Sequence, residues 1–66
     1  MTNTLKVQRA MKNLTQEKLA QVLGVSRQTV NSIEKNRYVP STVLALKLSR
    51  IFGVPVNEIF SLDADD

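Results

Sequence analysis

Gln28, Asn31, Ser32 and Lys35 fall at i, i+3, i+4 and i+7, so on a helix they form one continuous polar stripe, with Arg27 at its edge. Solvated helix faces usually carry Glu and Lys. Gln, Asn and Ser both donate and accept hydrogen bonds, and Arg donates through a fixed fork. These groups match base edges in a DNA groove, amides pairing with adenine and Arg with guanine. The bland alternative, for this stretch alone, is an ordinary surface face that happens to be rich in amides. The residues in front of it decide between the two.

A helix that reads bases must be held by a second helix crossing it at about 90 to 120° and joined to it by a tight turn. Residues 16 to 35, QEKLAQVLGVSRQTVNSIEK, fit that arrangement. Leu19 and Leu23 lie one turn apart on one face, and Ala20 beside them is small enough to admit a second helix. Gly24 supplies the positive φ that ends the first helix. Val25 is read as the buried turn residue, and Ser26 as the N-cap of the next helix, about Arg27 to Lys35. Val25 and Val30 have the spacing of a hydrophobic staple around that cap.

The rest of the chain supports this pair. Met1 to Thr4 reads as a short extended segment and Leu5 to Lys12 as helix 1, whose inward face is ambiguous because Val7, Ala10, Met11 and Leu14 also have helical spacing. Asn13 tolerates the left-handed conformation and suits the end of that helix. Thr15 caps helix 2, Gln16 to Leu23, with Leu14 and Leu19 as its staple, although Lys18 denies it a full capping box. After helix 3, Asn36 is a second left-handed stop, and Pro40 biases Val39 away from helix. Arg37 and the Tyr38 hydroxyl then stand where they could donate to a phosphate, although Tyr38 reads equally well as a half-buried packing residue. Ser41 caps helix 4, Thr42 to Phe52, with Leu44, Ala45, Leu48, Ile51 and Phe52 as its core face. Gly53 ends it, and helix 5 spans about Val56 to Phe60, with Ile59 and Phe60 closing the core.

Sixty-six residues allow one small domain, 1–66, with a core of marginal size. The absence of Cys and His removes the usual soft and imidazole metal ligands and the main nucleophiles and imidazole bases. No cofactor, small-molecule ligand or membrane is called for, an enzyme is not expected, and the cytoplasm is the expected location. The charge is uneven. Residues 1–50 carry nine Lys and Arg against Glu17 and Glu34, leaving +7, whereas residues 51–66 carry Glu58, Asp63, Asp65 and Asp66, leaving −4. A basic body holding the polar stripe favours phosphate and speeds encounter with DNA. The acidic tail, 61–66, should face away from it.

The run LTQEKLAQVLGVSRQTVNSIEKNRYVPS, followed by LALKLSRIFGVPVNEIF, resembles the phage-repressor and Cro (XRE) family of helix-turn-helix proteins, most of all its short stand-alone members such as the cytolysin repressor. The resemblance covers about residues 5 to 60. It implies an all-α, five-helix, lambda-repressor-like DNA-binding domain, with a short terminal β pairing of about Asn3 to Leu5 with Phe60 to Leu62. It turns Leu5, Gln8 and Arg9 inward on helix 1, and it places Arg9 and Glu34 in an internal ion pair. It also implies that Arg27, Gln28 and Asn31 read bases, with Ser32 beside them, while Ser26, Lys35, Asn36, Arg37 and Tyr38 clamp the DNA backbone. Gln16 would bond a phosphate and buttress the reading helix. Asn13 and Asn36 stand where relatives often carry Gly, and Gln8 where many carry an aliphatic residue.

The same resemblance implies a homodimer that binds a double-stranded operator with helix 3 in the major groove, more readily a repressor than an activator. Phe60 and Leu62 are the candidate dimer contacts. Two other readings use the same chain: an antitoxin-type autoregulator that also binds a partner toxin, and a protein-interaction module that docks helix 3 on a protein.

Overall fold

Three hydroxyls set where three of the helices begin. In the computed structural model, which describes residues 1–66, Thr15 accepts a bond from Lys18 N at 3.0 Å, Ser26 from Thr29 N at 3.1 Å and Ser41 from Leu44 N at 3.2 Å. Each cap satisfies an N–H that the first helical turn would leave free, and each contributes about 1 kcal/mol. The resulting helices are α2 (Gln16–Leu23), α3 (Arg27–Glu34) and α4 (Thr42–Phe52), preceded by α1 (Leu5–Met11) and followed by α5 (Val56–Ile59). Left-handed residues punctuate them: Asn13 after α1, Gly24 after α2, Asn36 after α3 and Gly53 after α4, with φ of 55°, 76°, 59° and 67°. At Asn36 the reversal lets Arg37 N reach Ser32 O at 2.9 Å, closing the last turn of α3.

The chain ends meet as a two-stranded antiparallel ribbon, β1 (Thr2–Asn3) and β2 (Phe60–Ser61), with Thr2 opposite Ser61 and Asn3 opposite Phe60. The ribbon lies one residue earlier on its first strand than the resemblance implied. Leu5 cannot extend it because it already opens α1, its N–H donating to Asn3 Oδ1 at 3.0 Å. For the same reason α5 stops at Ile59. Phe60 adopts an extended backbone, φ −119° and ψ 140°, to pair with Asn3. Beyond the ribbon, the Met1 ammonium lies 2.8 Å from Asp63 and 2.7 Å from Asp66. Hydrogen bonds from that ammonium to Asp63 and Asp66 raise its pKa above the usual value, and the bond it gives Asp66 lowers that carboxyl. The clasp is complete only between these limits. It loosens as acid protonates Asp66 below its lowered pKa, and as alkali deprotonates the amine above its raised one.

One core holds the elements together: Leu5, Leu19, Ala20, Leu23, Val30, Ile33, Leu48, Phe52, Ile59 and Phe60. The two faces considered for α1 are now distinguished. Leu5 is buried and Gln8 and Arg9 are half-buried, whereas Val7 and Met11 are 58% and 65% exposed. Val25 is half-buried and rests against the core from the turn, which lies at the surface, so the expectation of a buried turn residue is corrected. On α4 only Leu48 and Phe52 are fully buried, while Leu44, Ala45 and Ile51 are half-buried at its margin. Ala20 is buried on α2, and α2 packs against α3 more extensively than any other two elements do. No helix is long and apolar enough to cross a membrane.

Candidate nucleic-acid interface

The Ser26 cap and the buried Val30 and Ile33 fix the rotation of α3 about its axis. Once those two apolar residues face the core, the polar stripe must face out. Arg27, Gln28 and Lys35 are exposed, and Asn31 and Ser32 are half-buried beside them. Ser26, Gln28, Thr29, Ser32, Arg37 and Tyr38 line an open recess of about 380 Å³ along this face. Its walls are therefore the start of α3, its outer stripe and the loop that follows. Tyr38 is 43% exposed and belongs to this surface instead of packing beneath it.

Each backbone-clamp candidate has a definable donor. The Ser26 and Thr29 hydroxyls lie 2.9 Å apart and share one proton between them, which leaves the other O–H to point outward. Asn36 accepts from Asn3 Nδ2 through its Oδ1 at 2.8 Å, so its own amide nitrogen remains to donate. Arg37 is anchored through its backbone N–H on Ser32 O, and its side chain is exposed next to Lys35, also exposed. Three cations, Arg27, Lys35 and Arg37, thus sit on or beside α3. Its one carboxylate, Glu34, is turned inward with only 5% of its side chain exposed.

Beneath the stripe a polar network joins α1, α2 and α3. Arg9 Nε donates to Glu34 Oε2 at 2.8 Å and Arg9 Nη2 to Glu34 Oε1 at 3.3 Å, while Arg9 Nη1 holds Leu14 O at 2.8 Å. Gln16 Nε2 donates to Glu34 Oε1 at 3.1 Å and to Asn31 Oδ1 at 3.2 Å. Both protons of its amide are engaged inside the protein, and the oxygen that remains is an acceptor, as a phosphate oxygen is. Gln16 thus ties the start of α2 to α3.

Two residues of the site were not singled out from the sequence. Thr29 lines the recess, and its place three residues after the Ser26 cap was the available signal. Asn3 had none. From the ribbon its Nδ2 donates to Ile33 O at 2.9 Å, satisfying a carbonyl in the last turn of α3, as well as to Asn36. Only the pairing of the chain ends brings it there. Of the two candidate dimer contacts, Phe60 is 8% exposed within the core and Leu62 is 80% exposed. Val43 and Leu46, at 60% and 59%, are the exposed apolar residues of α4.

The sequence family described as helix-turn-helix matches residues 5–59. Over all 66 residues the chain is 53% identical to an uncharacterized HTH-type transcriptional regulator of Methanocaldococcus jannaschii, covering 100% of both. It is 44% identical to the uncharacterized HTH-type transcriptional regulator YgzD of Bacillus subtilis, again covering 100% of both. Among solved structures, the restriction-modification controller protein C.AhdI from Aeromonas hydrophila superposes with a TM-score of 0.75 at 34% identity, over 85% of each chain.

Proposed function

Because the chain belongs to the helix-turn-helix family of transcriptional regulators, which bind DNA and are not enzymes, we propose that it is a sequence-specific cytoplasmic repressor. In this reading it binds an inverted-repeat operator as a homodimer, with α3 of each protomer in a major groove. The observation that carries the reading is the outward face of α3. Arg27, Gln28, Asn31 and Ser32 form a surface rich in donors, while the only carboxylate of that helix is turned inward and neutralised by Arg9. A dimer of such units matches two half-sites about 34 Å apart, one helical turn. A compact dimer represses by occupying a promoter, which needs no further contact surface.

In this reading Arg27, Gln28, Asn31 and Ser32 meet base edges, and Ser26, Lys35, Asn36, Arg37 and Tyr38 meet the phosphates on either side of them. The two classes of contact respond differently to substitution. Gln28→Ala is expected to relax the preference at one base pair, at a loss of about 1 to 3 kcal/mol of discrimination. Arg37→Ala is expected to weaken all sequences alike and to reduce the slope of log K against log salt by about 1. Titrations of each variant against the selected site and a scrambled duplex at several salt concentrations measure both. A Gln28→Ala protein with an unchanged selected motif overturns the placing of the reading face.

A further inference from the structure

The network under α3 has a direction, and that direction reaches the reading face. Glu34 is held by Arg9 through both of its oxygens, at 2.8 and 3.3 Å, and a carboxylate in that position only accepts. Gln16 must therefore present its NH₂ end to Glu34, because its carbonyl end would set oxygen against oxygen. Which end of an amide faces a neighbour is decided by the surrounding network in this way. The second proton on the same nitrogen then meets Asn31, so Asn31 must answer with Oδ1, as it does at 3.2 Å. Asn31 Nδ2 is what remains. It has no partner within the protein, and no polar side-chain atom that lacks a partner is buried, so this nitrogen stands at the surface of the stripe.

We infer that the Arg9–Glu34 ion pair, acting through Gln16, fixes Asn31 as a hydrogen-bond donor toward the DNA, so that it meets a single base acceptor and does not make the two-point match to adenine. This rests on the reading of α3 as the base-reading helix. A free asparagine pairs with adenine by presenting its oxygen to N6 and its nitrogen to N7 together. With Oδ1 drawn inward against α2, that two-point match is not presented. What remains to it is one acceptor at a time, guanine O6 or N7, thymine O4 or adenine N7, so both kinds of base pair can satisfy it and its discrimination is weak. Gln16 is accordingly a positioning residue. It sets the polarity of a side chain that touches the base without touching the base itself.

Two measurements test it. In the ¹⁵N-labelled free protein, the side-chain amide protons of Gln16 are expected to exchange with solvent more slowly than those of Asn31. Equal or reversed rates overturn the polarity, with or without DNA binding. In site selection from a random duplex library, Asn31→Ala identifies the position that depends on Asn31, and the unmodified protein is expected to show only a weak preference between A·T and G·C pairs there. Gln16→Met, which frees Asn31 to turn, is expected to raise adenine at that position and leave the others unchanged. Asn31→Asp, an acceptor of similar shape, is expected to move it toward cytosine. A strong selection of A·T over G·C at that position by the unmodified protein, as the two-point match to adenine would give, or a preference indifferent to both Gln16→Met and Asn31→Asp, overturns the inference. If no motif is enriched by any variant, the base-reading function itself falls and takes the base assignment with it, while the exchange rates still judge the network.

Discussion

Glu34→Ala is expected to destabilise the protein by about 3 to 5 kcal/mol, the cost of removing one partner from a desolvated ion pair. Glu34 exposes 5% of its side chain and accepts from Arg9 Nε, Arg9 Nη2 and Gln16 Nε2, so one substitution removes three bonds. The Arg9 side chain, only 16% exposed, keeps its bond to Leu14 O but loses the charge opposite it. A chain of this length is stable by roughly 3 to 10 kcal/mol in total, so a loss of that size removes about a third of its stability or more. Urea denaturation measures it directly. The double variant Arg9→Met/Glu34→Leu is expected to recover much of the loss, because an apolar pair avoids the desolvation that the ion pair must overcome. A Glu34→Ala protein less than about 1 kcal/mol below the unmodified one contradicts the burial of this charge.

Leu19→Ala is expected to cost about 2 to 5 kcal/mol, from lost transfer energy and from the cavity left behind. Leu19 is fully buried on α2, in the same core as Val30 and Ile33 of α3. Removing its isobutyl group opens a cavity in the core that also anchors α3. The neighbouring position fails in the opposite sense. Ala20 is 3% exposed, and a larger residue there must displace the core side chains around it, at a cost of about 1 to 3 kcal/mol. Val39→Ala, at a residue 70% exposed in the loop, is the control and is expected to change stability by no more than about 0.5 kcal/mol. Thermal unfolding followed by circular dichroism separates these cases. The Leu19→Ala transition is expected to fall by roughly 8 to 40 °C, and a fall no larger than that of Val39→Ala contradicts the core as described.

Both predictions concern interactions between elements, and these were the features least visible in the sequence. Thr15, Ser26, Ser41, Gly24 and Gly53 act within a few residues of themselves, so α2 and α4 have the bounds their caps and stops foretell. The same locality makes the outward face of α3 legible, because Val30 and Ile33 fix its rotation. On α1 the periodicity alone allowed Val7 and Met11 to face inward. The inward position of Arg9 makes sense only with Glu34, which follows 25 residues later. Resemblance to the phage-repressor family supplied that choice, where spacing did not.

The ribbon shows the same limit in its register. Pairing of the chain ends was implied by resemblance, but its placement depends on Leu5 starting α1 and on Asn3 bonding in three directions at once. Phe60 reads as the last residue of a helix by apolar spacing, yet its backbone goes to the ribbon while its side chain stays in the core. Gln16 could be placed at the start of α2 from the sequence. Where its two amide protons go depends on α3 lying across it.

The most direct test of DNA reading by α3 is selection of preferred sites from a random duplex library by the purified protein, with binding measured at two salt concentrations. The expected result is an inverted repeat with half-sites about one helical turn apart, bound more weakly at the higher salt. Failure to enrich any motif, together with binding that does not respond to salt, would contradict it and leave α3 without DNA as its partner.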